Sequence, residues 1–298
     1  MVDLQIVSGC VNLALATLLP PLYLRILYIF CTRPSYRNLE CYRLMIQIGV
    51  FHLIAMPTGI MMGVMQLLNR DVWNLASMCL TIYAMGIRID SVLNVVLALN
   101  RLKIICGLRY STKIHTALSA FGYIVGLTVF VLVMSPLSGY GVKPDEYIST
   151  YDESKPWTWV ITTVNSYVMV ISYSLTMLIY MAILAYLCWM RCCTRSGFSS
   201  LLREGGILWS AAARFGIDIT LVLIYSFIGT PEEPVLRFLM TTTYFLNSLL
   251  VPVLLYLVLQ KTLRNEVFAP IWTMRRNHVS SVSLVSSTRR IPGRTSLA

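Results

Sequence analysis

Charged residues are scarce in this chain of 298 residues: they make up 12% of it, with 13 acidic side chains against 24 basic ones. Histidine is rarer still, and His52, His115 and His278 are too dispersed to form a metal centre. The eight cysteines show no metal-ligand spacing either. No metal, no cofactor and no enzymatic activity are therefore expected. An Asn-x-Ser/Thr sequon is missing throughout, so no glycosylated segment is expected. The first apolar run has neither a basic leader nor a small-residue cleavage site, and it reads as a retained span and not as a signal peptide.

What the chain has in abundance is apolar sequence, 57% of it, arranged in long runs. A helix needs roughly 20 apolar residues to cross a hydrocarbon core about 30 Å thick, because its backbone must be hydrogen-bonded internally there. That length predicts spans near 5–30, 43–68, 75–102, 114–136, 158–190, 207–229 and 237–260. The expected fold is an all-α membrane protein, a seven-transmembrane helix bundle. The fifth run exceeds the minimum and implies tilt or an extension beyond the membrane.

Basic residues set the orientation. Seventeen fall after spans 1, 3, 5 and 7, including Arg33, Arg37, Arg101, Lys103, Arg191 and the arginines of the tail, whereas the opposite loops hold only Arg70, Lys143, Lys155 and Arg237. The positive-inside rule then puts the N-terminus outside and the C-terminus in the cytoplasm. The net charge of +11 follows from this topology and from contact with anionic membrane lipids, so no nucleic-acid partner is expected.

Loops are short, which confines specific chemistry to the bundle and its inner face. The one sizeable outer segment, 138–159, carries Asp145, Glu146, Asp152 and Glu153 among tyrosines; it suits a lid that attracts cationic ligands, or a plain solvated loop. Cys79 has no cysteine in the later outer loops to pair with, leaving Cys10 as its only candidate on that side. Cys192 and Cys193 are either palmitoylation sites or reduced thiols. The division expected is a seven-span body, 1–268, ending in a short amphipathic helix over 261–268, and a basic, Ser-rich disordered tail, 269–298, open to phosphorylation.

Ionisable residues inside a bilayer are costly unless they face the bundle or water. Arg88 and Asp90 in span 3 are two apart, point in different directions and each require a partner on another helix. Arg214 and Asp218 in span 6 are four apart and either pair locally or reach span 3. His52 in span 2 is placed to hydrogen-bond Asp90, as a structural contact or as a pair that couples protonation to conformation. Arg101 closes span 3 at the inner mouth of the bundle, where an arginine serves as a topology anchor or meets a partner protein.

Four segments carry a family likeness: Cys41-Tyr42-Arg43-Leu44-Met45, Leu97-Ala98-Leu99-Asn100-Arg101, Thr230-Pro231-Glu232 and Tyr256 to Arg264. In this order and spacing the chain resembles the nematode serpentine chemoreceptors, class T most nearly and class X next. The resemblance implies a rhodopsin-like G-protein-coupled receptor fold. It also implies a plasma-membrane sensory role, in cilia by family likeness, with a small-molecule ligand and a heterotrimeric G protein as partners. Arg101 then matches the arginine that ends helix 3 and contacts helix 6 or the G protein. Asn100 stands where many such receptors have an acid, which makes Glu204 the candidate partner of Arg101. Asn247, Pro252 and Tyr256 resemble Asn-Pro-x-x-Tyr loosely: Val251 replaces the asparagine, and the proline-to-tyrosine spacing is one residue too long. Pro252 still removes a backbone hydrogen bond and gives the helix a place to bend.

A ligand cavity is expected among the outer halves of spans 3, 5, 6 and 7, with Tyr83, Tyr167, Tyr173, Tyr225 and Tyr244 as candidate lining residues. A retinal protein would need a lysine in span 7, and the first one, Lys261, lies past its end. The competing class is a transporter that uses the buried Arg and Asp residues, against which stand the odd span number and the lack of paired broken helices. An Arg101–Glu204 pair would hold a closed state. Glu204→Gln is therefore expected to raise basal signalling, and unchanged basal signalling in a folded, surface-expressed protein would reject the lock.

Overall fold

A computed structural model of the chain describes residues 2–194, 215–224, 232–259 and 261–268. Among the described residues, six helical runs are long and apolar enough to cross a membrane: Leu4–Thr32, Glu40–Leu68, Val72–Ile105, Lys113–Met134, Thr158–Met190 and Pro234–Val258. They coincide with the first five and the seventh of the expected spans. Of the expected sixth span, only a helical piece over 215–224 is described.

The first two spans are each broken once, for a reason visible in the sequence. Helix α1 (Val2–Leu18) gives way to α2 (Pro20–Thr32) at two consecutive prolines, which offer no N–H to the preceding turn. Helices α4 (Glu40–Leu53) and α5 (Ala55–Leu68) meet at Ile54, three residues before Pro57. There Thr58 Oγ1 lies 3.0 Å from the Ile54 carbonyl and 3.1 Å from that of Cys79, so one hydroxyl serves the break and ties it to the neighbouring span. A four-residue helix, α3 (Pro34–Arg37), connects α2 to α4.

Span 3 is one uninterrupted helix, α6 (Leu75–Ile105), and the most buried of the six. The Asp71 carboxylate fixes its start by accepting from the backbone N–H groups of Ala76 and Ser77 at 3.0 and 3.1 Å. One face, with Ile89, Leu93, Val96 and Leu97, packs into a cluster with Tyr23, Ile48, Phe245 and Leu249. Another, with Val95 and Ala98, packs against Tyr173, Ile183 and Phe215. The helix therefore separates two apolar clusters and belongs to both. Helices α7 (Lys113–Met134), α8 (Thr158–Thr194), α9 (described over 215–224), α10 (Pro234–Leu259) and α11 (Lys261–Phe268) complete the order. With 37 residues and no proline, α8 runs unbroken. At about 1.5 Å per residue that is roughly 55 Å, well beyond the membrane core.

Between α7 and α8 the chain forms a hairpin, β1 (Tyr140–Gly141) paired antiparallel with β2 (Thr150–Tyr151). This is the one departure from an all-α architecture among the described residues. Thr241 on α10 donates to the Tyr147 carbonyl at 2.6 Å and pins the hairpin over the bundle. Within it, hydrogen bonds from the Ser154 hydroxyl and backbone hold the Asp152 carboxyl below its ordinary range.

Two kinds of contact bring helices together without relying on apolar burial, which offers little drive in lipid. Gln66 Oε1 on α5 accepts from Ser8 at 2.9 Å and from Asn12 at 3.0 Å, both on α1. Beside this zipper the backbones approach closely: a Cβ added to Gly63 would lie 2.7 Å from Leu13 Cγ and 2.9 Å from the Gly9 carbonyl oxygen. Likewise α7 presents Gly122 and Gly126 to Val92 and Ile89 of α6, while Phe121, Ile124, Leu127 and Val131 are exposed on its other side. Gly63→Leu is expected to lower stability by about 1–3 kcal/mol through overpacking, read as a fall in the melting temperature of purified protein in nanodiscs. An unchanged melting temperature would show that α1 and α5 can separate freely.

Candidate functional site

Two adjoining cavities occupy the half of the bundle under the hairpin. The larger, about 80 Å³, has walls from α6 (Tyr83, Ala84, Ile87, Arg88), α10 (Thr241, Tyr244, Phe245) and the hairpin (Tyr140, Ile148, Ser149, Tyr151), with Met62 and Met169 at its sides. The smaller, about 20 Å³, is lined by His52, Asp90, Asp218, Asn247 and Ser248 with Tyr173, Val222 and Phe51. Tyr83, Ile87 and Tyr244 belong to both walls.

The aromatic wall is held by polar contacts. Tyr83 stacks on Phe245 with ring centroids 5.6 Å apart, and its hydroxyl lies 2.7 Å from Ser248 Oγ and 3.3 Å from the Tyr244 carbonyl. Pro252 cannot donate to the Ser248 carbonyl one turn earlier, so Tyr83 grips α10 where that helix has lost a backbone hydrogen bond.

In the smaller cavity the ionisable residues of three helices converge. His52 Nε2 lies 3.3 Å from Asp90 Oδ2, and the two residues are 4% and 5% exposed. His52 Nδ1 is 2.9 Å from the Tyr23 hydroxyl, and Asn94 donates to Asp90 at 3.0 Å. Across the cavity Asn247 on α10 donates to Asp218 on α9. Asp218 thus reaches span 7, an option not weighed from the sequence; Arg214 lies outside the described residues. Tyr23 was equally invisible in the sequence, because a tyrosine in an apolar span gives no sign of which polar group it meets.

Arg88 calls for a correction. Among the described residues it has no partner on another helix: it donates to the Ala84 carbonyl of its own helix and, at 2.6 Å, to the Tyr151 hydroxyl of the hairpin. The outer segment expected as a lid or a solvated loop forms the hairpin, and its Tyr151 meets Arg88. The loop carboxylates do not line the cavity, and among the described residues Arg88 is the one charged side chain that does. Tyr167 is corrected as well, since it is 57% exposed on the outside of α8 and touches neither cavity. Tyr173 lines only the smaller one and packs edge-on against Phe215. Tyr225 lies outside the described residues. Cys79 and Cys10 are both free thiols.

At the opposite end, Arg101 is partly buried among Cys41, Tyr42, Tyr180 and Tyr256. No carboxylate pairs with it among the described residues, and its Nε has no acceptor; Glu204 lies outside them. Asn100 is buried beside it with Nδ2 unpartnered. Tyr256 packs edge-on against Phe30 at 5.6 Å, in an aromatic cluster with Tyr36 and Tyr42. Burial there, reinforced by nearby Glu266, pushes the Tyr36 phenol up to about 12. Two groups the sequence reading passed over also act here. Arg25, within span 1, donates to the Val267 carbonyl and ties α2 to α11. His115, at the start of α7, bridges Glu40 and the Tyr110 hydroxyl at 2.9 Å each, and Tyr110 in turn donates to the Leu99 carbonyl at 2.8 Å.

The His52–Asp90 contact is open to a double-mutant cycle in thermal unfolding. His52→Ala and Asp90→Ala are each expected to destabilise, with a coupling of about 0.5–3 kcal/mol; strict additivity would place the two side chains in independent surroundings.

No protein-family model matches the chain, and no curated protein matches it. Among solved structures it is similar to squid rhodopsin, with a TM-score of 0.64 at 11% identity, over 92% of this chain and 87% of that one. At that identity the likeness is one of fold. The chain is a multi-pass helical membrane bundle with a rhodopsin-like fold.

Proposed function

We infer that this protein is a chemosensory receptor of the nematode serpentine kind, closest to class T, which detects a small molecule from outside the plasma membrane and signals to a heterotrimeric G protein. In this reading the hairpin end faces outward and the Arg101 end faces the cytoplasm, which the distribution of basic residues supports. The body runs to residue 268, and the tail beyond it is a regulatory cytoplasmic segment; sensory cilia are the site that the family likeness suggests.

One observation carries the reading: the cavity under the hairpin and the polar core below it share Tyr83 and Tyr244 as a common wall. A ligand that shifts Tyr83 alters its bond to Ser248 on α10, beside the proline-weakened turn. Asn247 on the same stretch is bonded to Asp218 of α9. A movement at the outer cavity therefore changes how α9 and α10 meet, and both helices lead toward the opposite end, where Arg101 lies. That is a two-state element biased from one side and read from the other.

The test is ligand-stimulated nucleotide exchange on purified G protein, with substrate flux into proteoliposomes measured in parallel. Exchange is expected, without flux. Arg101→Ala is expected to abolish it while surface expression persists; flux without exchange would instead make the protein a transporter.

A further inference from the structure

The larger cavity has a chemical bias, and it rests on the receptor reading only for its biological meaning. Among the described residues its walls are aromatic and apolar apart from hydroxyl groups and a single charge, Arg88, which is 7% exposed. A guanidinium carries five N–H donors and is charged at every accessible pH. Here two of its nitrogens are engaged, by the Ala84 carbonyl and the Tyr151 hydroxyl, and Nε has no acceptor at all. Both engaged partners are neutral dipoles. No carboxylate pairs with Arg88 among the described residues, although Asp90 is only two positions away: Asp90 is turned to His52. Of the four hairpin carboxylates, Glu146 is bonded to Thr150 and Lys143 and Asp152 to Ser154, while Asp145 and Glu153 are exposed.

A buried charge without a counter-ion is costly, and the cost is relieved by whatever anion enters. Arginine binds a carboxylate through two parallel charge-assisted hydrogen bonds, a geometry that neither an amide nor an amine reproduces. Space limits the guest. Each water needs about 10–15 Å³ of such volume, so the cavity holds on the order of five waters. The stacked Tyr83 and Phe245, with Tyr140 and Tyr244, form an apolar and aromatic enclosure for the rest of the molecule. We propose that the cavity binds a small organic monocarboxylate with a short aliphatic or aryl body, its carboxylate on Arg88 and its body against the tyrosine wall.

Tyr151 gives the site a second property. Its hydroxyl sits on the guanidinium, and its strand belongs to the hairpin that covers the cavity. A carboxylate arriving at Arg88 competes with that hydroxyl or joins it, so occupancy is reported directly to the hairpin.

The experiment uses the full chain in nanodiscs, titrated at neutral pH with butyrate, benzoate and phenylacetate, with their primary amides, with butylamine and benzylamine, and with chloride alone. Binding is read by calorimetry and by thermal shift. The acids are expected to bind at least about tenfold more tightly than their amides, the worth of a charged hydrogen bond. Arg88→Gln is expected to erase that ratio, and Ala84→Leu, which fills the cavity, to remove binding of acid and amide together. Tyr151→Phe keeps the charge and is expected to change acid affinity while leaving the amides unmoved; it carries the test if Arg88→Gln does not fold. The proposal is overturned if amides or amines bind as tightly as the acids, if chloride alone matches them, if the acid preference survives Arg88→Gln, or if no acid binds. Acid binding without nucleotide exchange would leave the site standing and reject the receptor function. Exchange driven by a non-acid in the same cavity would do the reverse.

Discussion

The architecture depends on how α6 hides its charges. That helix lies between the two apolar clusters, and it carries both an arginine and an aspartate in its buried middle. Neither can be left in an apolar interior unmatched. Two positions apart on a helix, they cannot cancel each other, so each recruits its own surroundings. Asp90 draws in His52 of α4, and through His52 the hydroxyl of Tyr23 on α2. Arg88 draws down the hairpin through Tyr151. The packing of spans 1 and 2 and the placement of the hairpin are thus two answers to one electrostatic demand.

The same demand separates what could be read in the sequence from what could not. A lone charge in a run of twenty apolar residues announces that a partner exists, and a histidine at similar depth in the adjacent span is a short list of one; His52 and Asp90 do meet. The six described spans were legible because membrane thickness fixes their length. The partner of Arg88 was not, since a tyrosine hydroxyl in a loop is chemically unremarkable until the strands bring it back over the bundle. Tyr167 failed for the opposite reason. Aromatic side chains suit both lipid and cavity, and only the rotation of α8 about its axis decides between them.

Polar contacts do unequal work along the molecule. Between α1 and α5 they are a zipper of amides and hydroxyls around Gln66, neutral and local, whose role is to hold a close backbone approach in register. In the smaller cavity they involve two aspartates and a histidine spread over three helices, where any change in one helix position changes the solvation of all three. Near Arg101 they anchor the connecting segments, with His115 tying the start of α4 to the loop before α7. The middle group is the one of these three in which ionisable side chains of three helices line a common cavity.

Helix α7 shows how differently one helix can be constrained on its two sides. Its outward residues, Phe121, Ile124, Leu127 and Val131, face away from the protein and must only remain apolar. Its inward face rests on Gly122 and Gly126, where Val92 and Ile89 already fill the space a methyl group would take. The outer face specifies a class of side chain and the inner face an identity. A larger side chain is therefore tolerated over most of the surface of α7 and penalised at two positions, so the seat of this helix on α6 depends on what those two residues lack.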